Sequence, residues 1–130
     1  MRLTRRSALI GAAGLAACGP SVRDHLVLWH AYRGREADGL AKAIALYNDT
    51  RPKGAAPAKA IAIPFDAFAD KITAAVPRGK GPDVFIFAHE RVGGWVESGR
   101  TVEPLGFWMD DAFRAGFVSG LLDALTYRGE

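Results

Sequence analysis

The stretch that most constrains this chain runs from Gly81 to Gly99, Gly-Pro-Asp-Val-Phe-Ile-Phe-Ala-His-Glu-Arg-Val-Gly-Gly-Trp-Val-Glu-Ser-Gly. It opens on a Gly-Pro-Asp turn and passes through four large apolar residues, Val84 to Phe87. Polarity then switches at His89-Glu90-Arg91, and a helix-like segment runs out to Gly99. A short apolar run bounded by turn signals reads as a strand buried on both faces. A polar cluster where such a strand gives way to a helix is where open α/β sheets place their ligand sites.

The rest of the chain supplies partners for that strand. Leu26-Val27-Leu28-Trp29 is a second apolar run, followed by a polar turn with Tyr32, Arg33, Gly34 and Arg35. A helix is predicted from about Glu36 to Asn48, because Leu40, Ala43, Ile44 and Tyr47 recur at helical spacing on one face. Glu36 and Asp38 suit the positive end of its dipole, and Asn48 to Pro52 stop it. Ala58 to Ile63 reads as another strand. A second helix follows, with Asp66 as N-cap and with Phe68, Ile72 and Ala75 as its buried stripe. Strand, helix, strand, helix, strand predicts a parallel α/β sheet with right-handed crossovers. After Gly99, Val102 to Leu105 reads as extended, Asp110 to Leu122 as short helices, and Ala124 to Tyr127 as the start of a further strand. A strand and turn are an odd place for a domain to stop, so the chain is expected to be part of a longer fold.

Charge bears on partners. The formal net charge is +3, but Arg2, Arg5 and Arg6 precede the first acidic residue, Asp24. Taking these three from the 17 basic residues leaves 14, which balances the 14 acidic ones. The body therefore lacks the basic face that nucleic acid demands, and no nucleic-acid partner is expected.

The basic N-terminus leads into an apolar run, Ser7 to Ala17, too short to span a bilayer. This is the layout of a bacterial export signal. Leu15-Ala16-Ala17-Cys18 resembles a lipoprotein lipobox, with cleavage before Cys18 and lipid attached to it. Gly19-Pro20 breaks the run just beyond. Thr4-Arg5-Arg6-Ser7 also resembles a twin-arginine signal; a general secretory signal stays open beside it. The expected organisation is a signal over residues 1–17, a tether over 18–25, and a folded body over 26–130, anchored by lipid to a membrane. A lone cysteine rules out an internal disulfide.

From Leu26 onward the chain resembles the maltose-binding-protein family, the extracellular solute-binding proteins of sugar-importing ABC transporters. The Gly81–Gly99 stretch carries most of the likeness. Leu26 to Trp29, Phe65 to Lys71 and Leu121 to Gly129 extend it. The resemblance implies an incomplete, parallel-sheet N-terminal lobe of a periplasmic-binding-protein-like (type II) fold. It also implies a sugar ligand, ABC permease subunits as partners, a monomer, hinge closure on ligand and no covalent chemistry or cofactor.

By the same resemblance, Phe87 falls at an aromatic position of the sugar cleft. Glu90 and Arg91 fall at a carboxylate and an arginine that bond sugar hydroxyls. Tyr32, Arg33 and Arg35 fall in a sugar-contacting loop. The chemistry is apt: an acceptor and a forked donor suit hydroxyl pairs, and an aromatic face suits C–H surfaces. A solvated helix start accounts for Glu90 and Arg91 as well, and a core position at a strand end accounts for Phe87. Trp95 reads as packing. His30 and His89 lack metal spacing, Gly79-Lys80-Gly81 precedes a strand rather than a helix, and no nucleophile elbow is present. Metal, phosphate-loop and catalytic residues are therefore not expected. Two other functions stay open at this level: a piece of an exported enzyme whose catalytic residues lie beyond Glu130, and a non-functional remnant.

Overall fold

A computed structural model describes residues 24–99 and 101–129. The signal, Cys18 and the first part of the tether lie outside the described residues.

The parallel sheet is present. Strands β1 (Leu26–His30), β2 (Ala58–Ala62) and β3 (Val84–Phe85) lie in the order β2-β1-β3. Both pairings are parallel, with Leu26 opposite Ala58 through His30 opposite Ala62, and Leu28 and Trp29 opposite Val84 and Phe85. The ladder extends past the strand ends, where Ile63 N–H donates to His30 C=O at 2.8 Å and Ile86 N–H to Trp29 C=O at 2.9 Å. All three strands therefore point their carboxyl ends to one edge.

Helix α1 (Gly34–Thr50) connects β1 to β2, and α2 (Phe65–Ala75) connects β2 to β3. α1 is longer than its apolar periodicity suggests at both ends. Gly34 adopts a left-handed φ of 51° that turns the chain into the helix. The far end of α1 is tied to the sheet by one side chain. Asn48 accepts the Ala58 N–H at 2.7 Å through Oδ1 and donates to the Ala58 C=O at 2.9 Å through Nδ2, as a neighbouring strand would.

The core gathers Trp29, Ile63, Phe68, Ile72 and Trp95, with Val27, Ala31, Phe85 and Phe87 packed against it. Val27, Trp29 and Ala31 alternate along β1, as one face of a strand must. Phe68 and Ile72, one turn apart on α2, are fully buried. Each such side chain contributes roughly 2–3 kcal/mol by leaving water. Trp95, on α3 (Val92–Glu97), closes the far side with its ring edge-on to Phe85 at 5.1 Å and its indole N–H donated to Thr73 Oγ1 at 3.3 Å. The packing role expected of Trp95 is what the fold shows.

Several expectations are corrected. The apolar run of the opening stretch is not a strand buried on both faces. Only Val84 and Phe85 join the ladder, and Val84 is 44% exposed. Among the described elements β3 pairs with β1 alone, and after Ile86 the chain leaves the sheet for the turn at His89–Arg91. Asp66 is not an N-cap. The cap position is Pro64, and Asp66 lies inside the first turn of α2, where its charge can favour the dipole but its side chain caps nothing. The α1 face of Leu40, Ala43, Ile44 and Tyr47 is only partly covered. Leu40 and Ile44 are half-buried while Ala43 and Tyr47 are exposed.

Beyond Gly99 the expected short helices are found: α4 (Asp111–Ala115), capped by Asp110 accepting the Phe113 N–H at 2.7 Å, and α5 (Leu121–Leu125). The strand expected from Ala124 is absent. Gly120, at a φ of 81°, starts a helical turn that runs through Leu125 instead. The chain then folds back on α3. Tyr127 donates its hydroxyl to Glu97 Oε1 at 2.9 Å, Arg128 pairs with the same oxygen at 2.6 Å, and the Tyr127 ring lies over Gly93.

Candidate functional site

The aligned strand ends create a concavity of about 400 Å³, within the range of small-molecule sites. β1 delivers Ala31 and Tyr32 to it. β3 continues through Ile86, Phe87 and Ala88 along its opposite wall. The chain leaving β2 passes Ile63 and Pro64 and presents Phe65, the first residue of α2. Glu36, in the first turn of α1, supplies a carboxylate. Parallel strands joined by helices send every strand end and every first helical turn to the same edge, which is why four separate segments meet here.

The backbone around the concavity is held by specific bonds. His30 is buried, at 6% exposure, and its Nδ1 accepts the Tyr32 N–H at 3.2 Å. That bond fixes the backbone of Tyr32, two residues beyond the strand end, where its side chain lines the pocket. It requires the Nδ1 position to be unprotonated. His30 thus has a structural role, and His89 lies exposed on its turn. Among the described residues no cluster of three or more His, Cys, Asp or Glu could hold a metal.

Aromatic rings form the apolar wall. Phe87 stacks on Phe68 with centroids 4.9 Å apart and planes 13° from parallel. Phe65 stacks on Phe87 at 5.3 Å and 25°. Trp95 leans on Phe87 at 5.8 Å. The ring at position 87 is therefore half-buried, continuous with the core on one side and with the pocket on the other.

Of the residues expected from sequence, Tyr32 and Phe87 come together in the lining. Arg33, just before α1, and Arg35, in its first turn, are exposed neighbours of lining residues and do not line the concavity themselves. Glu90 and Arg91 sit exposed on the turn that follows Ala88 and do not line the concavity. Sequence reasoning missed Glu36 and Phe65 as lining residues, having used Glu36 only as a dipole partner and Phe65 only within the Phe65–Lys71 stretch of the resemblance. The signal was available: each occupies the first turn of a helix that follows a strand, the position a parallel sheet turns toward its ligand edge.

Comparison with known proteins bears on the fold. No family model matches the chain. The maltotriose-binding protein of Pyrococcus abyssi is 36% identical over 55 residues, covering 42% of this chain and 12% of that protein. The structure of the Thermus thermophilus maltotriose-binding protein, bound with maltotriose, superposes with a TM-score of 0.70 at 23% identity, covering 80% of this chain and 27% of that one. The chain thus spans well under a third of the length of either. In fold, this chain is a partial periplasmic-binding-protein-like α/β lobe, and it resembles the maltose-binding-like solute-binding proteins.

Proposed function

We propose that this chain belongs to the substrate-binding component of an ABC importer for maltose, an oligosaccharide or a related glycoside. It is exported on a signal of residues 1–17, held at the membrane by lipid on Cys18 and a tether to residue 25, and works without catalysis. The observation that carries the proposal is the concavity at the carboxyl edge of the sheet, where Tyr32, Glu36, Phe65 and Phe87 meet. An acceptor, a hydroxyl and aromatic surface are the groups that bind neutral sugars. The similarity to two maltotriose-binding proteins supports the choice of ligand.

In this proposal Tyr32 and Phe87 flank the sugar. Glu90 and Arg91, beside the lining on their turn, and Arg33 and Arg35, beside it at the start of α1, reach hydroxyls at the rim. Such residues contact ligand best when a second lobe closes over the edge. The permease would take the sugar from the closed protein.

Isothermal titration of the full-length gene product with maltotriose, maltose and trehalose tests the proposal. Saturable heat with at least one of them is expected, weakened by Arg91→Ala. Absence of heat with every sugar, alongside tight binding of a metal ion or a peptide, would refute it. Globomycin-sensitive processing and labelling with radioactive palmitate test the anchor, and loss of label in Cys18→Ala is the expected result. Label retained in that variant would remove Cys18 as the lipid site.

A further inference from the structure

We infer that the aromatic face that receives a sugar ring in this pocket is that of Phe65, with Phe87 serving as its support. The inference rests on the sugar-binding function proposed above and names a residue of the same site.

A sugar ring stacks through the C–H bonds of one face, which carry slight positive charge, onto the negative face of an aromatic ring. The aromatic must therefore have a face open to the ligand. Phe87 is poorly placed for that. Phe68 and Phe65 both lie near-parallel to it, at centroid distances of 4.9 and 5.3 Å, and Trp95 approaches at 5.8 Å. Phe68 is fully buried, so the stack is rooted in the core. Phe87 is the inner member that links Phe68 to Phe65.

Phe65 is the outer member. It stacks on Phe87, lines the concavity, and is still 60% exposed. Its backbone is the first residue of α2, immediately after Pro64, whose ring restricts the approach of the chain. Large apolar side chains are exposed elsewhere in the chain too, Phe107 and Trp108 among them, but within the lining Phe65 is the most exposed apolar residue, with Ala31, Ile86, Phe87 and Ala88 all half-buried. Stacking on Phe87 also limits the rotamers open to Phe65, so ordering it against a ligand loses little entropy. Tyr32 serves differently. Its ring is tilted by 42° against buried His30 at 5.9 Å, and its hydroxyl suits a polar contact.

The test is calorimetric titration of the full-length gene product with maltotriose, for the wild-type protein and for Phe65→Ala, Phe65→Leu and Phe65→Tyr. Thermal unfolding is measured on each. Phe65→Ala and Phe65→Leu are expected to bind about tenfold more weakly, and Phe65→Tyr within about threefold of wild type, because only the last keeps an aromatic face. Leucine keeps apolar bulk, so the Leu and Tyr variants decide the matter even if the alanine variant folds poorly. Wild-type affinity in Phe65→Leu, or equal losses in Leu and Tyr, would overturn the inference while leaving the sugar-binding function standing. A wild-type protein that binds none of maltotriose, maltose or trehalose would overturn that function and the inference with it.

Discussion

Asp83 and Val27 bond each other twice: the Asp83 carboxylate accepts the Val27 N–H at 2.8 Å, and the Asp83 N–H donates to the Val27 C=O at 2.9 Å. The turn before β3 is thereby fastened to β1 one residue ahead of the first Cα pairing, Leu28 with Val84. This gives the Gly-Pro-Asp turn of the opening stretch a physical purpose. Proline presets the backbone of the turn, and the aspartate acts as an extra rung on the ladder, setting the register in which Phe85 and Phe87 face the core.

Replacing Asp83 by alanine removes the side-chain rung and leaves the main-chain one. The site is exposed, so water can take over the Val27 N–H, and the expected loss is about 1 kcal/mol. Asp83→Asn keeps an acceptor and is expected to lose less than half of that. Urea unfolding of both variants checks the order. An alanine variant as stable as wild type would show that the rung adds nothing to the turn.

Gly81 offers a sharper test of the same turn. A Cβ at this position would lie 2.4 Å from Val76 Cγ2 and 2.9 Å from Val76 Cα. The second contact is with backbone, so a rotamer change at Val76 cannot relieve it. Gly81→Ala should destabilise the protein by about 1–3 kcal/mol, the usual penalty of overpacking. Val76→Ala in the same chain should recover only part of it. Full recovery would place the strain in the valine side chain alone.

His30 ties the strand to the pocket through the Tyr32 N–H. Asparagine can present Oδ1 near the position of Nδ1, while leucine fills the volume without an acceptor. Hydrogen exchange at the Tyr32 amide is therefore expected to stay slow in His30→Asn and to rise about tenfold in His30→Leu, in line with loss of one hydrogen bond. Equal exchange in the two variants would mean that burial of the ring, rather than the bond, holds Tyr32.

These residues show what was legible beforehand and what was not. The parallel sheet, both crossover helices and the burial of Phe68 and Ile72 follow from apolar runs and periodicity, because spacing records which side of an element meets the core. The length of β3 does not follow from it. Val84 to Phe87 is apolar throughout, yet Phe87 is needed for the aromatic stack and Ile86 for the pocket wall, so apolar character there reports packing beyond the ladder. The turn of α5 was equally hidden, since Ala124 to Tyr127 favours neither state strongly and a left-handed Gly120 decided it. At the site, Tyr32 and Phe87 were visible by resemblance. Glu36 and Phe65 become visible only once the strand order brings three loops to one edge.

Glu36 carries the last prediction, because it brings a carboxylate into a lining otherwise made of aromatic and aliphatic residues and Tyr32. A carboxylate there can accept hydrogen bonds from two sugar hydroxyls, and charge-assisted bonds of that kind are the stronger ones. Glu36→Gln retains one acceptor and size, whereas Glu36→Ala retains neither. On the sugar-binding function proposed above, the maltotriose affinity of the full-length gene product is expected to fall about threefold to tenfold in the glutamine variant and more than tenfold in the alanine variant. Glu36 is exposed and its place in the first turn of α1 contributes roughly 0.3–1 kcal/mol through the helix dipole, so a small loss of stability should accompany both changes. The two effects separate cleanly in a paired measurement of calorimetric affinity and thermal midpoint. Lowered stability with unchanged maltotriose affinity would confine Glu36 to the dipole role that its position in the sequence first suggested.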